Sequence, residues 1–346
     1  MKRQQGFSLI ELMVALLIGL LLLGAMLNAF LSSKVTYSTQ SALAKVQENA
    51  RFAMEIVGRE VRQAGYQGCS VNNSFANTVN TGASYDDFFS LDEPVDGLNN
   101  VTGATYGSNA GVDNSDVLMI KYASLDGGCT VDSHNPTAAS IHCQGDNTTT
   151  RGQILMISDC QHSAVFQESA VVGNPNNPVV HNTGGSAVPG NCTKGLGLPV
   201  DCTSTNGTPY TFPPGSSVMS IRSFRFFLAV NDQGEPALYQ QALGVNSGTS
   251  TVQIDQEELV EGIEDMQILY GQDTDGDNSV NSYVPSDAVG DMEDVIAVRV
   301  SMLIRSIEDN VLPEAQTYTF NDATVTASDR RIRKVFTSTF AVRNRL

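Results

Sequence analysis

Tryptophan is absent from this sequence of 346 residues, and basic residues are scarce. Lysine and arginine together number 20 against 37 aspartate and glutamate residues, which gives a formal net charge of −17. Between Tyr66 and Ile221 the only basic residues are Lys121, Arg151 and Lys194. Because nucleic acids bind proteins through basic surfaces that neutralise phosphates, this composition excludes nucleic-acid binding as the main task.

Known catalytic motifs are missing as well. The sequence contains no phosphate-binding Walker loop, no G-x-S-x-G elbow and no H-E-x-x-H pair. Four histidines lie in loop-like sequence, at spacings that match no common zinc site: His134, His142, His162 and His181. We therefore expect a protein that is not an enzyme and that requires no cofactor.

No proline precedes Pro94, and one apolar run dominates this part of the chain. The run extends from Phe7 to Leu31 and contains a single charged residue, Glu11. At ~1.5 Å per residue, a helix of this length crosses the ~30 Å hydrocarbon layer of a membrane. No small-residue cleavage site follows the run, so we expect it to remain in the mature protein as an anchor.

The residues around this charge form a specific motif. A short basic leader precedes the heptapeptide GFSLIEL, which runs from Gly6 to Leu12. The motif resembles the class III signal of type IV pilins and of type II secretion pseudopilins. This resemblance implies cleavage after Gly6 and methylation of Phe7 by a prepilin peptidase. It also implies that Glu11 pairs with the Phe7 amine of a neighbouring subunit, since a carboxylate in an apolar segment needs a partner.

The helical pattern continues beyond the apolar run. Spacings of three and four residues place one apolar stripe on the helix, at Leu43, Val46, Ala50, Ala53, Val57, Val61 and Ala64. Gly65 predicts the end of the helix. We expect a leader at residues 1–6, a transmembrane and filament-core half of the helix at 7–31, an amphipathic half packed on the head at 32–65, and a periplasmic β-rich head at 66–346.

Period-two alternation and β-branched runs predict strands in the head. They are expected at Asp116–Tyr122, Gln153–Ser158, Ala164–Ser169, Val218–Val230, Met266–Tyr270, Val295–Ser306 and Lys334–Val342. A long N-terminal helix followed by antiparallel strands is the α+β pattern. We therefore predict a type IV pilin-like fold, in which the membrane half of the helix protrudes from an antiparallel sheet with long, disulfide-tied loops.

Segments in the latter part of the chain extend the resemblance. DVLMIKY, NDQGEPALYQQ and DVIAVRVSMLIRS are similar to segments of minor pilins of the PilW type. That family implies a minor pilin that initiates pilus assembly and sits at or near the tip. Its implied partners are other minor pilins, the major pilin, the prepilin peptidase, the inner-membrane assembly platform and a tip adhesin. The implied location is the inner membrane with a periplasmic head, and then the pilus on the cell surface.

Two other functions stay open. ELVEGIEDMQILY also resembles the J-type pseudopilins of type II secretion, which share the prepilin motif and the helix. The other alternative is a membrane-anchored head that binds an extracellular ligand through its long loops. Loss of pili or loss of protein secretion, after deletion of the gene, separates these alternatives.

Six cysteines in an exported chain indicate disulfides rather than metal ligands. The sequence alone allows many different pairings. Closure of short loops favours Cys192–Cys202 and Cys129–Cys143, because these cysteines are near neighbours in the chain. This choice leaves Cys69, at the end of the helix, to pair with Cys160.

One acidic loop is a candidate calcium site. Asp273, Asp275 and Asp277 alternate as at positions 1, 3 and 5 of a calcium loop, and Asn281 falls at position 9. Positions 6 and 12 lack the Gly and Glu of an EF-hand. Three carboxylates in one tight turn repel one another unless a cation lies between them. The alternative is a solvated acidic hairpin tip without an ion.

The end of the chain reverses the charge. Six basic residues fall within the last seventeen positions: Arg330, Arg331, Arg333, Lys334, Arg343 and Arg345. We expect a solvated terminal strand there, with a docking patch for a partner as the alternative.

Overall fold

The computed structural model describes residues 8–69, 75–82, 86–89, 91–145, 148–169 and 178–345. A single helix, α1, runs from Leu9 to Gln63, and its 55 residues give a length of about 80 Å. Ser8 and Glu11 form a capping box at its N-terminus, because each side chain accepts the main-chain N–H of the other residue. At the other end, the Asn344 side-chain amide donates to the carbonyls of Gln63 and Ala64.

The two halves of α1 have different surroundings. Large apolar side chains from Leu9 to Leu31 are exposed, whereas burial against the head begins at Ala42. Among the described residues, α1 is the one helix that is long and apolar enough to cross a membrane, with a mean hydropathy of 2.6 in its most apolar window. The helix therefore protrudes from the head as predicted.

The head consists of antiparallel strands with one short parallel pair. The strands are β1 (Ala76–Asn77), β2 (Val95–Val101), β3 (Thr105–Tyr106), β4 (Asn109–Ala110), β5 (Ser115–Asn135), β6 (Ser140–Gln144), β7 (Ile154–Ser158), β8 (Ser163–Gln167), β9 (Val179–Val180), β10 (Ser217–Val230), β11 (Pro236–Asn246), β12 (Thr251–Glu261), β13 (Ile263–Gln272), β14 (Ser282–Val284), β15 (Val295–Arg305), β16 (Thr317–Phe320), β17 (Ala323–Thr326) and β18 (Arg333–Ala341). In the described part of the chain, a ten-stranded sheet is built around β5 and β10, and a four-stranded sheet has the order β14-β13-β15-β18. Two hairpins, β3–β4 and β16–β17, stand apart.

The core lies where α1 crosses both sheets. Val46, Ala50 and Val57 pack against apolar side chains of β13, β15 and β18. Gly58 permits the closest approach, because a Cβ atom there would lie 2.4 Å from the ring of Phe340. The α+β fold, with a helix packed on a sheet-rich head that contains three disulfides, is confirmed.

All seven predicted strands are found, but the structure adds others. Strand β5 continues for 21 residues to Asn135, and β2, β11 and β12 were not predicted. The extension of β5 is polar and contains Gly127 and Gly128, which hid its strand character. It forms because β6, which follows in a hairpin, and β10, which is distant in sequence, supply hydrogen-bonding partners along its length.

Candidate functional site

The first candidate site is the N-terminal motif. Gly6 and Phe7 lie outside the described residues, so cleavage and methylation stay predictions. Glu11 is exposed, and its Oε2 accepts the Ser8 N–H at 2.9 Å. Among the described residues, no hydrogen bond reaches its Oε1. The carboxylate thus holds the first turn of its own helix, and its pairing with a neighbouring subunit stays a prediction.

Three disulfides lie between the end of α1 and the start of β10. They join Cys69 to Cys160, Cys129 to Cys143, and Cys192 to Cys202. The last two are the pairs that loop closure favoured in the sequence, and the first is the pair that this choice left. The first ties the end of α1 to the turn between β7 and β8, and the second joins β5 to its neighbour β6. All three disulfides therefore cross-link the part of the head that lies between α1 and β10 in sequence.

The acidic loop follows β13. One carboxylate oxygen each from Asp273, Asp275 and Asp277 lies within 4.8 Å of the others. Asp273 also accepts the main-chain N–H groups of Gly276, Asp277 and Asn278. Although burial works to raise its pKa, these donors hold the pKa of Asp273 below its usual value. Carboxylate oxygens are the ligands that calcium prefers, so these three residues fit such an ion.

The fourth predicted ligand has a different contact. The Asn281 side-chain oxygen accepts the Thr274 N–H at 2.7 Å and lies 3.2 Å from the Thr274 hydroxyl. Asn281 therefore closes the loop from within. Because donors inside the loop already satisfy Asp273 and Asn281, the turn is organised by its own hydrogen bonds, and calcium binding stays a prediction.

Sequence reasoning missed a cluster of histidines around Phe212. The Nε2 atoms of His134 and His181 lie 3.0 Å apart, and the ring of His162 packs on Tyr210 and Phe212. His134 Nδ1 accepts the Phe212 N–H, so its proton sits on Nε2 and is donated to His181. Burial lowers the pKa of His134 to about 4. Burial, and then the neighbouring His134, lower the pKa of His181 to about 3. The pair is therefore neutral at pH 7.

The hydrogen bond at His134 Nδ1 disfavours zinc binding through the Nε2 atom of this histidine. A histidine that binds metal through Nε2 must carry its proton on Nδ1, where His134 already accepts a hydrogen bond. Cys143 and Cys160, which lie near His142 and His162 in sequence, are both in disulfides. The only sequence clue was the presence of histidines in an exported, loop-rich segment, since their partners are 30 to 80 residues away.

A buried aspartate connects the two sheets. Asp116 in β5 is 3% exposed, and its Oδ2 accepts the Ile268 N–H of β13 at 2.7 Å. Its Oδ1 accepts the Asn100 N–H at 2.8 Å. Burial raises the pKa of Asp116 to about 6, against the effect of these two donors. This side chain closes the edge of the four-stranded sheet that faces the ten-stranded sheet.

The basic end of the chain differs from the expected solvated strand. Arg333 is 5% exposed, and it donates to Glu264 and Asp329. Arg331 and Arg305 both donate to Glu235. Because partners far away in sequence neutralise them, these arginines hold β15, β18 and the β10–β11 turn together. Lys334 and Arg343 remain exposed.

Comparison with known families agrees with this geometry. The prokaryotic N-terminal methylation motif matches residues 1–27. This motif, the protruding apolar helix and the sheet-rich head define a membrane-anchored type IV pilin. The type IV pilus-assembly protein W family, PilW, matches residues 225–344. Together these matches support a type IV pilin of the PilW type, and they point to a structural role rather than an enzymatic one. No curated protein and no solved structure gives a significant match.

Proposed function

We propose that this pilin is a minor subunit that initiates pilus assembly and then sits at or near the tip of the filament. Its signal would be cut after Gly6 by the prepilin peptidase. Its helix would lie in the inner membrane with the head in the periplasm, before transfer to the pilus on the cell surface. Its partners would be other minor pilins, the major pilin, the assembly platform and a tip adhesin.

The observation that carries this proposal is that the PilW match covers only one of two different portions of the head. The PilW match covers β11–β18 and part of β10, which pack with α1 around the main core. Between α1 and β10 lies a long additional portion with three disulfides, long loops and separate apolar clusters. Subunits inside a helical filament repeat one interface above and below themselves. An irregular head of this size suits the end of such a lattice, where neighbours on one side are missing.

The protruding helix supports membership of the filament core. Its first half exposes large apolar side chains all round, including Leu12, Leu16 and Leu23. Such a surface is stable in a lipid bilayer or when buried among similar helices. The Glu11 Oε1 atom, which accepts no hydrogen bond from the described residues, would bind the methylated amine of a neighbour and so fix the axial position of the new subunit.

The alternative is a pseudopilin of type II secretion, because the N-terminal motif and helix serve both systems. Deletion of the gene distinguishes the two functions. We expect loss of surface pili and twitching motility with normal exoprotein secretion, and restoration by the wild-type gene in trans. Loss of secretion with normal pili would assign the protein to the secretion system. If both processes stay intact, an anchored ligand-binding head becomes the better explanation.

A further inference from the structure

The four-stranded sheet ends at β18, whose outer edge pairs with no other strand among the described residues. Arg305 donates its N–H to Gly262, away from β18, so the Arg305–Arg333 pair exchanges no hydrogen bonds. In an antiparallel ladder such pairs alternate with bonded ones. Even-numbered residues of β18 therefore bond to β15, and odd-numbered residues point their N–H and C=O groups outward. In the described part of the chain, no hydrogen bond reaches these groups in the four residues Val335, Thr337, Thr339 and Ala341.

A side chain already imitates an added strand at one end of this edge. The Gln316 side-chain oxygen accepts the Arg333 N–H at 2.8 Å, and its amide donates to the Arg333 carbonyl at 2.8 Å. A primary amide that makes both bonds takes the place of the N–H and C=O groups that one residue of a neighbouring antiparallel strand would supply. The edge of β18 can therefore form hydrogen bonds with an amide group. The outward N–H and C=O groups of the odd-numbered residues after Arg333 point in the same direction as those of Arg333.

The opposite edge of the sheet is protected. Strand β14 pairs with residues 270–272 of β13, and Asp116 accepts the outward Ile268 N–H. Natural proteins usually cover or block their sheet edges, because an open edge invites pairing with another chain. Thr337, Thr339 and Ala341 are exposed, which leaves the β18 edge accessible.

Cations on and beside β18 indicate the charge of the partner. Arg62 lies over the ring of Phe340 with 5.2 Å to its centroid, and Lys334 lies 5.8 Å from that of Phe336. Arg62, Lys334 and Arg343 are exposed, and no ion pair within the described residues neutralises them. Two copies of this edge would bring like charges together. A strand with carboxylate side chains would instead be attracted.

We propose that the outer edge of β18 binds an extended, acidic strand of a neighbouring pilus subunit, which joins the sheet through main-chain hydrogen bonds. This mode of recognition is β-augmentation: main-chain bonds give affinity, and alternate side chains give specificity. The proposal rests on the proposed function, since it names the contact that a minor pilin makes with its neighbour.

Proline at position 337 tests the main-chain contact. The Thr337 N–H points outward, so Thr337→Pro removes a donor from the edge and keeps the hydrogen bonds to β15. Thr337→Val is the matched control, because both variants lose the 2.9 Å bond between the Ser301 and Thr337 hydroxyls. We expect the full-length Pro variant to capture neighbouring pilus subunits from membranes about tenfold less than the Val variant does. Equal capture by both, at similar melting temperatures in detergent, would overturn the proposal.

A second pair of variants tests the charge. Lys334→Glu places a carboxylate beside the incoming acidic strand, whereas Lys334→Gln only removes the cation. We expect capture to fall more for Glu than for Gln, and the loss to shrink at high salt. If Glu strengthens capture, the partner strand is not acidic and the proposed occupant is wrong.

Photocross-linking keeps the proposal testable if the proline variant melts early. A cross-linker at Thr339, on the open edge, should join the chain to another pilus subunit. The same group at Val325, which is 43% exposed in the β16–β17 hairpin, should not. Cross-links from Val325 alone, or to a second, differently tagged copy of this chain, would refute the proposed occupant. Pili that persist after gene deletion would refute the proposed function instead, whereas pili lost on deletion but kept in Thr337→Pro would refute only the edge.

Discussion

The neutral His134–His181 pair should make the head sensitive to acid. Both histidines have pKa values below their usual 6.5, at about 4 and about 3, chiefly because the rings are buried. As the pH falls through 6.5, these histidines therefore bind protons in the unfolded chain but stay neutral in the folded chain. Stability from the neutral pair is fully present above pH 6.5 and is lost as the pH falls through 6.5 toward 4. Lys194, the cation near this pair, also disfavours protonation of His181.

The magnitude follows from linkage. For His134, a change from pH 7.5 to pH 5.0 lowers the free energy of unfolding by about 2 kcal/mol. Water reaches part of this ring, so we expect a measured loss of about 1–2 kcal/mol. Asp116 acts in the opposite direction. Burial raises the pKa of its carboxyl to about 6, so protonation of this carboxyl as the pH falls removes the cost of burying its charge and stabilises the folded state. The contribution of His134 must therefore be read from a difference between variants.

His134→Asn supplies that difference. An Asn side chain keeps an oxygen near the position of Nδ1, which accepts the Phe212 N–H, but it does not titrate. We expect the variant to be less stable than wild type at pH 7.5, and the gap to narrow by about 1–2 kcal/mol at pH 5.0. Denaturant unfolding of the full-length protein in detergent measures both values. His142→Asn is the control, because His142 is exposed. A gap that stays constant across this pH range would refute the argument.

Three further predictions concern the anchor and the acidic loop. Sequencing of the mature protein should begin at Phe7 with a methylated amine, and a start beyond Leu31 would contradict a retained anchor. Glu11→Ala should leave leader cleavage intact but reduce surface pili, with a milder defect for Glu11→Asp; normal piliation in the Ala variant would refute this role. Calcium at a hundredfold excess over its Kd should stabilise the protein by about 2.7 kcal/mol, and Asp275→Ala should abolish the response. Identical melting with calcium and with a chelator would leave only a hairpin.

Sequence patterns predicted the features that depend on neighbouring residues. The length of α1 follows from one uninterrupted apolar and amphipathic pattern. Strand β15 was visible because Ile296, Val298 and Val300 alternate with smaller or charged residues. Such regularities arise within a few residues, so neither a partner strand nor a partner helix is needed to recognise them.

Features that depend on distant partners were not visible. The β11–β12 hairpin was missed for a different reason: its strands are adjacent in sequence, but side-chain pairs such as Gln241–Gln256 make them too polar to show a clear apolar alternation. From the sequence, Arg331 and Arg333 could be recognised only as positive charges, because their partners Glu235 and Glu264 lie 96 and 69 residues away. The His134–His181 pair has the same origin. Only the fold brings these groups together. Side chains that the sequence suggested to be solvated are paired with partners in the structure.

Different forces hold the two portions of the head. The main core joins α1 to the sheets through well-buried side chains of α1, of β2 and β5, and of the strands from β10 onward. The cluster around Phe166 and Phe212 is smaller, and the half-buried Cys129 and Cys143 pack at its margin. Small apolar clusters provide little net stability, and disulfides offset this by restricting the unfolded chain. Because β5 contributes side chains to both clusters, it links the disulfide-rich portion to the packing that connects the head to α1.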